Sequence, residues 1–227
     1  MIPFLAVAAV AVALTAEDGR AVKGSWRSPA ADAPIVILVA DEGSTPDEWA
    51  PVAGALADAR IATLAIGPRV AATARDTAKD VEAAIAWAKK RKDADPTRLL
   101  LAGAGNGALA ALAAAGEHPE VDGVALVSAP IDRRRLDDED ALADFGARPL
   151  FVAVARSDKK PAKSALVLEA NARGRKKLVI TDGSRTGAEL LSKSHDAQAA
   201  FLLWARQTLG LEPVPEETPR PTPQPKP

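Results

Sequence analysis

Residues 98–107 read RLLLAGAGNG: Arg98-Leu99-Leu100-Leu101-Ala102, an apolar run, followed at once by Gly103-Ala104-Gly105-Asn106-Gly107. Such a run meeting a glycine cluster predicts a strand buried on both faces that turns tightly into the next element. The next element is alanine-rich as far as Gly116, which predicts a helix. A two-residue hairpin at Asn106-Gly107 is disfavoured, because a hairpin needs a second strand after the turn.

The same alternation extends in both directions. Ile35 to Ala40 (IVILVA), Ile61 to Ile66, Val121 to Ser128, Leu150 to Ala155 and Lys177 to Ile180 are short runs that predict further buried strands. Thr45-Pro46-Asp47-Glu48-Trp49 predicts a helix start, with threonine as cap, proline in the first turn and acids at the positive end of the dipole; that helix is expected to reach Ala59. Asp76 to Lys92 places Val81, Ile85 and Ala88 on one face, and Ser194 to Leu209 predicts a closing helix with Phe201, Leu202 and Trp204. Glu17 to Arg20 reads as a turn between short antiparallel strands, the second being Ala21 to Trp26. Repeated strand–helix units imply the α/β class: a three-layer α/β/α sandwich on a mostly parallel sheet.

The ends differ from the middle. Ile2 to Leu14 is 13 residues without a charge, a length that suits the apolar region of a secretory signal better than a bilayer span. Ala11-x-Ala13 suits cleavage after Ala13; residues 1–16 are expected to act as a signal peptide, with an uncleaved anchor and a buried strand or helix as the alternatives. A secreted or periplasmic location follows from the first reading. Glu212 to Pro227 holds seven of the 18 prolines and is expected to be an extended, disordered tail. The folded domain is then 17–211.

Composition excludes several functions. With 29 basic and 30 acidic side chains there is no global field to hold a nucleic acid. No cysteine means no disulfide, no thiolate nucleophile and no cysteine-ligated metal; two histidines, His118 and His195, give no metal spacing, so no metal and no cofactor is expected. Gly103 to Gly107 lacks the Gly-Lys-Ser/Thr ending of a phosphate loop.

The strand–glycine turn–helix at Gly103 to Gly107 resembles the nucleophile elbow, Gly-x-Ser-x-Gly, of the α/β-hydrolase family. The resemblance spans roughly Glu17 to Leu209, which looks like a compact member similar to dienelactone hydrolases and small esterases. Asp18-Gly19 is similar to their first hairpin, Ile35 to Trp49 to the oxyanion strand and its helix, and Asp95-Pro96-Thr97-Arg98 to the lead into the elbow. Arg156-Ser157-Asp158 is similar to the turn of the triad acid, and Gly183 to Leu191 to the histidine loop. Only 18 residues separate Pro130 from Pro149, so no large cap domain is expected.

This resemblance implies where chemistry should sit. It places Asn106 at the nucleophile, Thr186 at the histidine and Asp158 at the acid. A carboxamide is not an acyl-accepting nucleophile and a threonine hydroxyl is no base near neutral pH. Ala40-Asp41-Glu42 stands where an oxyanion donor is usual, and two carboxylates there would repel an oxyanion. The expectation is therefore a degenerate triad (Asn106, Asp158, Thr186) and a polar ligand cleft formed by Asp41, Glu42, Ala104, Asn106, Asp158 and Thr186. Asparagine tolerates positive φ, so Asn106 is expected to hold the strained elbow; equally, it is expected to serve as a cap of the following helix. The partner is a small-molecule ligand or an envelope protein, with no integral membrane span; the alternative is an active ester or acyl hydrolase using a non-standard set such as a serine with His195 and Asp158. His195 otherwise reads as an exposed first-turn residue, and His118 as a cation closing a helix. Ser44, Ser128 and Ser184 are hydroxyls available to a cleft. Arg133-Arg134-Arg135 before Asp137-Asp138-Glu139-Asp140 reads as a self-neutralising loop or a contact for an anionic partner.

Overall fold

Eight strands form one sheet in the order β1-β2-β4-β3-β5-β6-β7-β8 in the computed structural model, which describes residues 7–71, 74–131 and 137–211. Residues 1–6, the arginine run 133–135 and the proline-rich segment 212–227 lie outside the described residues, as do the side chains of 137–140. The expectations placed there belong to the sequence reading alone.

The antiparallel edge comes first. β1 (Val10–Thr15) pairs with β2 (Ala21–Arg27) from Val10↔Trp26 to Thr15↔Ala21, around the turn expected at Glu17 to Arg20. Part of the uncharged N-terminal run is thus a strand, with Leu14 and Ala16 buried. Asp18 in the turn is tied to the body by Arg69, whose guanidinium also grips the buried carboxylate of Asp80 at 2.6 Å. That arginine holds the Asp18 carboxyl down to about 2.

The remaining pairings are parallel except β2 with β4 (Ala62–Gly67). β3 (Pro34–Val39) is followed by a turn of 3₁₀ helix (Pro46–Trp49) and α1 (Ala50–Asp58). Thr45 has extended backbone and Pro46 opens the turn, as expected, but the threonine side chain makes no capping bond. α2 (Ala74–Ala88) stops four residues before Lys92. β5 (Asp95–Ala104) runs longer than the apolar stretch and enters α3 (Gly105–Glu117) directly. β6 (Gly123–Val127), α4 (Asp137–Phe145), β7 (Leu150–Ala155), α5 (Lys159–Asn171), β8 (Lys176–Thr181), α6 (Gly187–Lys193) and α7 (His195–Thr208) complete the chain, α7 being capped by the Ser194 hydroxyl.

Two apolar layers result, because side chains of each strand alternate between faces. Ile35, Ile37 and Val39 face the layer under α2, α3, α4 and α5, while Val36, Leu38 and Ala40 face the layer under α1, α6 and α7. In the first, Arg91 lies 4.6 Å from the ring centre of Trp87 and 5.5 Å from that of Trp26. In the second, Phe151 meets Phe201 and Trp204, each at 5.6 Å between ring centres, while Trp49 is fully buried. The expected three-layer α/β/α sandwich is the observed architecture, and it brings the C-terminal ends of β3, β5, β6 and β7 to one rim.

Candidate functional site

At that rim the strand ends and the loops after them enclose a cleft of about 770 Å³. Asp41 and Glu48 come from the β3 end and its helix, Gly105 and Asn106 from the β5–α3 junction. Ser128 follows β6, Asp158 and Lys160 follow β7, and Thr186, Gly187 and Glu189 follow β8. The three expected triad positions therefore converge, with Asp41 beside them. Of the other expected ligand residues, Glu42 reaches the site by bonding Asn106, whereas Ala104 is fully buried and does not line the cleft.

One expectation at the elbow needs correction. The residue in the left-handed region is Gly105 (φ 54), not Asn106, which is the second residue of α3. Gly105 is also the third of the five residues from Gly103 to Gly107, the place that serine takes in Gly-x-Ser-x-Gly. The physical reason is the tightness of the turn: glycine takes φ > 0 without the steric penalty that any β-carbon brings. A β-carbon on Gly105 would overlap the Asp41 carboxylate, and one on Gly107 would overlap the Ala40 carbonyl, so the segment leaving β3 presses on the elbow at the elbow's glycines.

Asn106 then acts as the residue after the elbow, and both its backbone N–H and its side-chain amide N–H are engaged. Its backbone N–H donates to Asp41 Oδ1 at 2.8 Å, and its side-chain amide donates to Glu42 Oε2 at 3.1 Å. Glu42 N–H donates to the same Asp41 Oδ1 at 2.8 Å, and Asp41 N–H donates to Glu48 Oε1 at 3.0 Å. The first turn of α3 is therefore capped by a carboxylate from β3, which sits where the helix dipole is positive. Ala104 is the cap residue by position and supplies no side-chain bond, so the role expected of Asn106 falls to Asp41.

The second left-handed feature is Ser128 (φ 52), a buried serine at the end of β6 whose hydroxyl accepts the Gly187 N–H at 3.0 Å. It ties the β6 end to the loop of Thr186, the residue that precedes α6 in extended conformation. A non-glycine residue held in this region marks a place where the surroundings over-determine the backbone. Burial pushes the carboxyls of Asp158 and Glu48 up; at Glu48 the Asp41 N–H opposes that rise. With Asp41 and Glu189 these make a cleft rich in carboxylates, and Lys160 is the cation on its wall.

Neither histidine enters. His195 exposes 94% of its side chain beside Asp196, and His118 ends α3 against Glu120 at 3.2 Å. Ser44 lines the cleft with Ser128, whereas Ser184 lines a separate depression under the β8 end. Among the described residues no group of three or more histidine, aspartate or glutamate side chains is placed to hold a metal ion, and no helix is long and apolar enough to cross a membrane.

Solved structures share this fold over nearly their whole length. A dienelactone hydrolase from Anabaena variabilis superposes with a TM-score of 0.74 at 22% identity, covering 91% of this chain and 98% of its own. The esterase Pf2001 of Pyrococcus furiosus gives 0.74 at 15%, covering 90% and 94%. The fold is that of the α/β-hydrolases. The α/β-hydrolase GrgF of a Penicillium species extends the likeness, with a TM-score of 0.71 at 17% identity over 90% of this chain and all of its own. No protein-family model and no curated protein sequence matches the chain. Within this fold, the Asn106 N–H at the start of α3 is already bound to Asp41 Oδ1.

Proposed function

We propose that this chain is a catalytically silent protein on the α/β-hydrolase fold, exported from the cytoplasm, which uses its polar cleft to bind a ligand or a partner. The observation that carries this reading is the pairing of Gly105 with Asp41. The elbow offers no side chain, and a carboxylate stands over it on the N–H that would stabilise an oxyanion. Acyl transfer requires a nucleophile, a base to take its proton and free donors for the oxyanion. The cleft has hydroxyls at Ser44, Ser128, Thr186 and Ser192 but no imidazole, and the Ser128 oxygen already accepts a backbone N–H. Removing a triad serine or histidine lowers turnover by about a million-fold, and the effects do not add because the groups act as a unit.

The test is turnover of short-chain nitrophenyl esters together with fluorophosphonate labelling. Neither should exceed the buffer blank. Ester turnover that Asp158→Ala abolishes would overturn the silent reading and establish a rerouted hydrolase.

Export rests on the uncharged run from Ile2 to Leu14 and on Ala11-x-Ala13. Cleavage after Ala13 would take Val10 to Ala13 from β1 and leave β2 as the sheet edge. The intact mass and N-terminal residue of the protein recovered from an envelope fraction decide it: a chain found in the cytoplasm alone would remove the export half of the proposal.

A further inference from the structure

The end of the sheet opposite β1 is a second feature that the cleft does not use. β8 is the last strand, paired with β7 from Leu150↔Lys176 to Ala155↔Thr181 and with nothing beyond it among the described residues. Leu150 N–H donates to the Arg175 carbonyl at 2.9 Å and Arg156 N–H to that of Thr181 at 2.8 Å. The odd-numbered residues of β8 thus turn their backbone groups to β7, because in a parallel ladder each residue points both groups to one side. Lys176, Leu178 and Ile180 hold theirs outward, a row of donors and acceptors ready for another strand.

The stretch of chain around that row carries an excess of bases, even after Arg156, Lys176 and Arg185 pair with Asp182, Glu169 and Glu189. Residues 156–193 carry ten lysines and arginines against four acids, a net of +6, whereas residues 1–155 carry sixteen against twenty-two, a net of −6. Lys159 and Lys163 on α5, Arg173 in the connection and Lys177 on β8 are exposed. Beside the C-terminal half of the strand lies a depression of about 660 Å³, walled by Val179, Ile180 and Leu190 and rimmed by Arg185 and Lys193 together with Asp182, Glu189 and Asp196. The excess of positive charge therefore lies toward the N-terminal half, at Arg173, Arg175, Lys176 and Lys177. An unpaired ladder supplies affinity through main-chain bonds, and an adjoining hollow supplies room for a side chain of the incoming strand.

We propose that the β8 edge is a docking site for an extended acidic segment of a partner protein, which adds to the sheet as a ninth strand. Charge selects this occupant. A second copy would bring the same positive edge against its own, and like charge disfavours that approach. Lysines on an edge strand discourage neutral or basic strands from pairing and attract acidic ones. The proposal depends on the fold and on β8, not on the silence of the cleft, so the two can fail separately.

The probe is a synthetic decapeptide of alternating glutamate and threonine, with its lysine–threonine counterpart as control. Fluorescence anisotropy on the full chain should show saturable binding of the acidic peptide that weakens about tenfold or more as salt rises through the range where the Debye length shrinks. Amide exchange should slow at Lys176, Leu178 and Ile180 on binding. Ile180→Pro removes an outward N–H without touching the β7 ladder, since proline is tolerated on the open side of an edge strand. It should weaken the peptide about tenfold or more. Lys177→Glu, which keeps every backbone donor, should weaken it by a comparable factor and restore it at no salt concentration. Equal binding of the basic peptide, unchanged exchange at the three outward amides, or an Ile180→Pro chain that binds as well as the parent would overturn the proposal. So would a concentration-dependent dimer protecting the same amides, which would assign the edge to a second copy.

Discussion

The Asp41 carboxylate stands over Gly105, filling the volume in which a β-carbon on that residue would lie. Restoring a serine at the elbow therefore meets two obstacles at once. The φ of 54 penalises any β-carbon by about 1–2 kcal/mol, and the overlap with Asp41 adds about 1–3 kcal/mol of overpacking. Gly105→Ser should accordingly lower the unfolding free energy in urea by roughly the sum of these. The same change made in an Asp41→Gly background should cost less by the overlap part, Asp41→Gly itself losing the bonds to the Asn106 and Glu42 N–H groups. Neither chain should hydrolyse esters, because Thr186 supplies no base. A Gly105→Ser chain as stable as the parent would show that Asp41 does not occupy this volume in solution.

Asn106→Ser tests the neighbouring position. The backbone N–H to Asp41 survives and only the amide bond to Glu42 is lost, a change of about 1 kcal/mol. Esterase activity from this single change is not expected, and its appearance would return the nucleophile to position 106.

Asp158 offers a pH signature. Its carboxyl is raised by burial, so its neutral form is favoured in the folded state and its contribution to stability is present at low pH and lost as pH rises through the raised value. Asp158→Asn should therefore raise the melting temperature at neutral pH and leave it nearly unchanged below about pH 3, where an ordinary carboxylate is protonated in both states. Melts of both chains across that range decide it; a stabilisation that is the same at every pH would dissociate the effect from ionisation.

Arg69 joins the β1–β2 turn to the body, and its side chain is 9% exposed over an Asp80 that is 1% exposed. Arg69→Met leaves that aspartate without its guanidinium, which should cost about 3–5 kcal/mol. Asp18→Asn is the milder probe. Because Asp18 is held down to about 2, its contribution is present above the ordinary carboxylate range and lost as pH falls toward 2, so the variant should lose the corresponding part of the acid limb of a stability profile. Retention of the full limb would show that the ion pair with Arg69 does not persist in solution.

Ser128 separates strain from bonding. Ser128→Ala keeps the left-handed backbone and removes the acceptor of the Gly187 N–H, so about 1–2 kcal/mol of stability should be lost. Ser128→Gly loses the same acceptor but relieves about 1 kcal/mol of backbone strain, and should fall between alanine and the parent. The reverse order in urea titrations would show that the turn is not strained.

The strands and their parallel order are legible from particular runs: IVILVA at Ile35 to Ala40 and LLLA at Leu99 to Ala102 can only be satisfied inside a sheet covered on both faces. The convergence of Asp158 and Thr186 on the elbow was implied by the resemblance of their loops to those of α/β-hydrolases. Which residue of Gly103 to Gly107 turns left-handed was legible by counting, since the third place of Gly-x-Ser-x-Gly falls on Gly105, and the expectation at Asn106 lies one residue beyond it. The position of the Asp41 carboxylate is tertiary information: nothing local in Ala40-Asp41-Glu42 says that its acceptor will meet the N–H of Asn106. α5 was hidden for another reason, since Lys159-Lys160-Pro161 looks like a loop while proline in a first turn is in fact compatible with helix. β1 was ambiguous in principle, for an uncharged run of this length satisfies an export signal and a sheet strand alike.

The distribution of the four tryptophans has an experimental consequence. Trp26 and Trp87 meet edge to face at 5.2 Å in one layer, while Trp49 and Trp204 lie in the other, their indole N–H groups without a hydrogen-bond partner among the described residues. With no tyrosine in the chain, ultraviolet emission comes from these two pairs, one on each side of the sheet. Replacing one pair with phenylalanine converts the protein into an optical reporter of the opposite side. The two half-labelled chains together would tell whether the helices on either side of the sheet melt in a single step or peel away in turn.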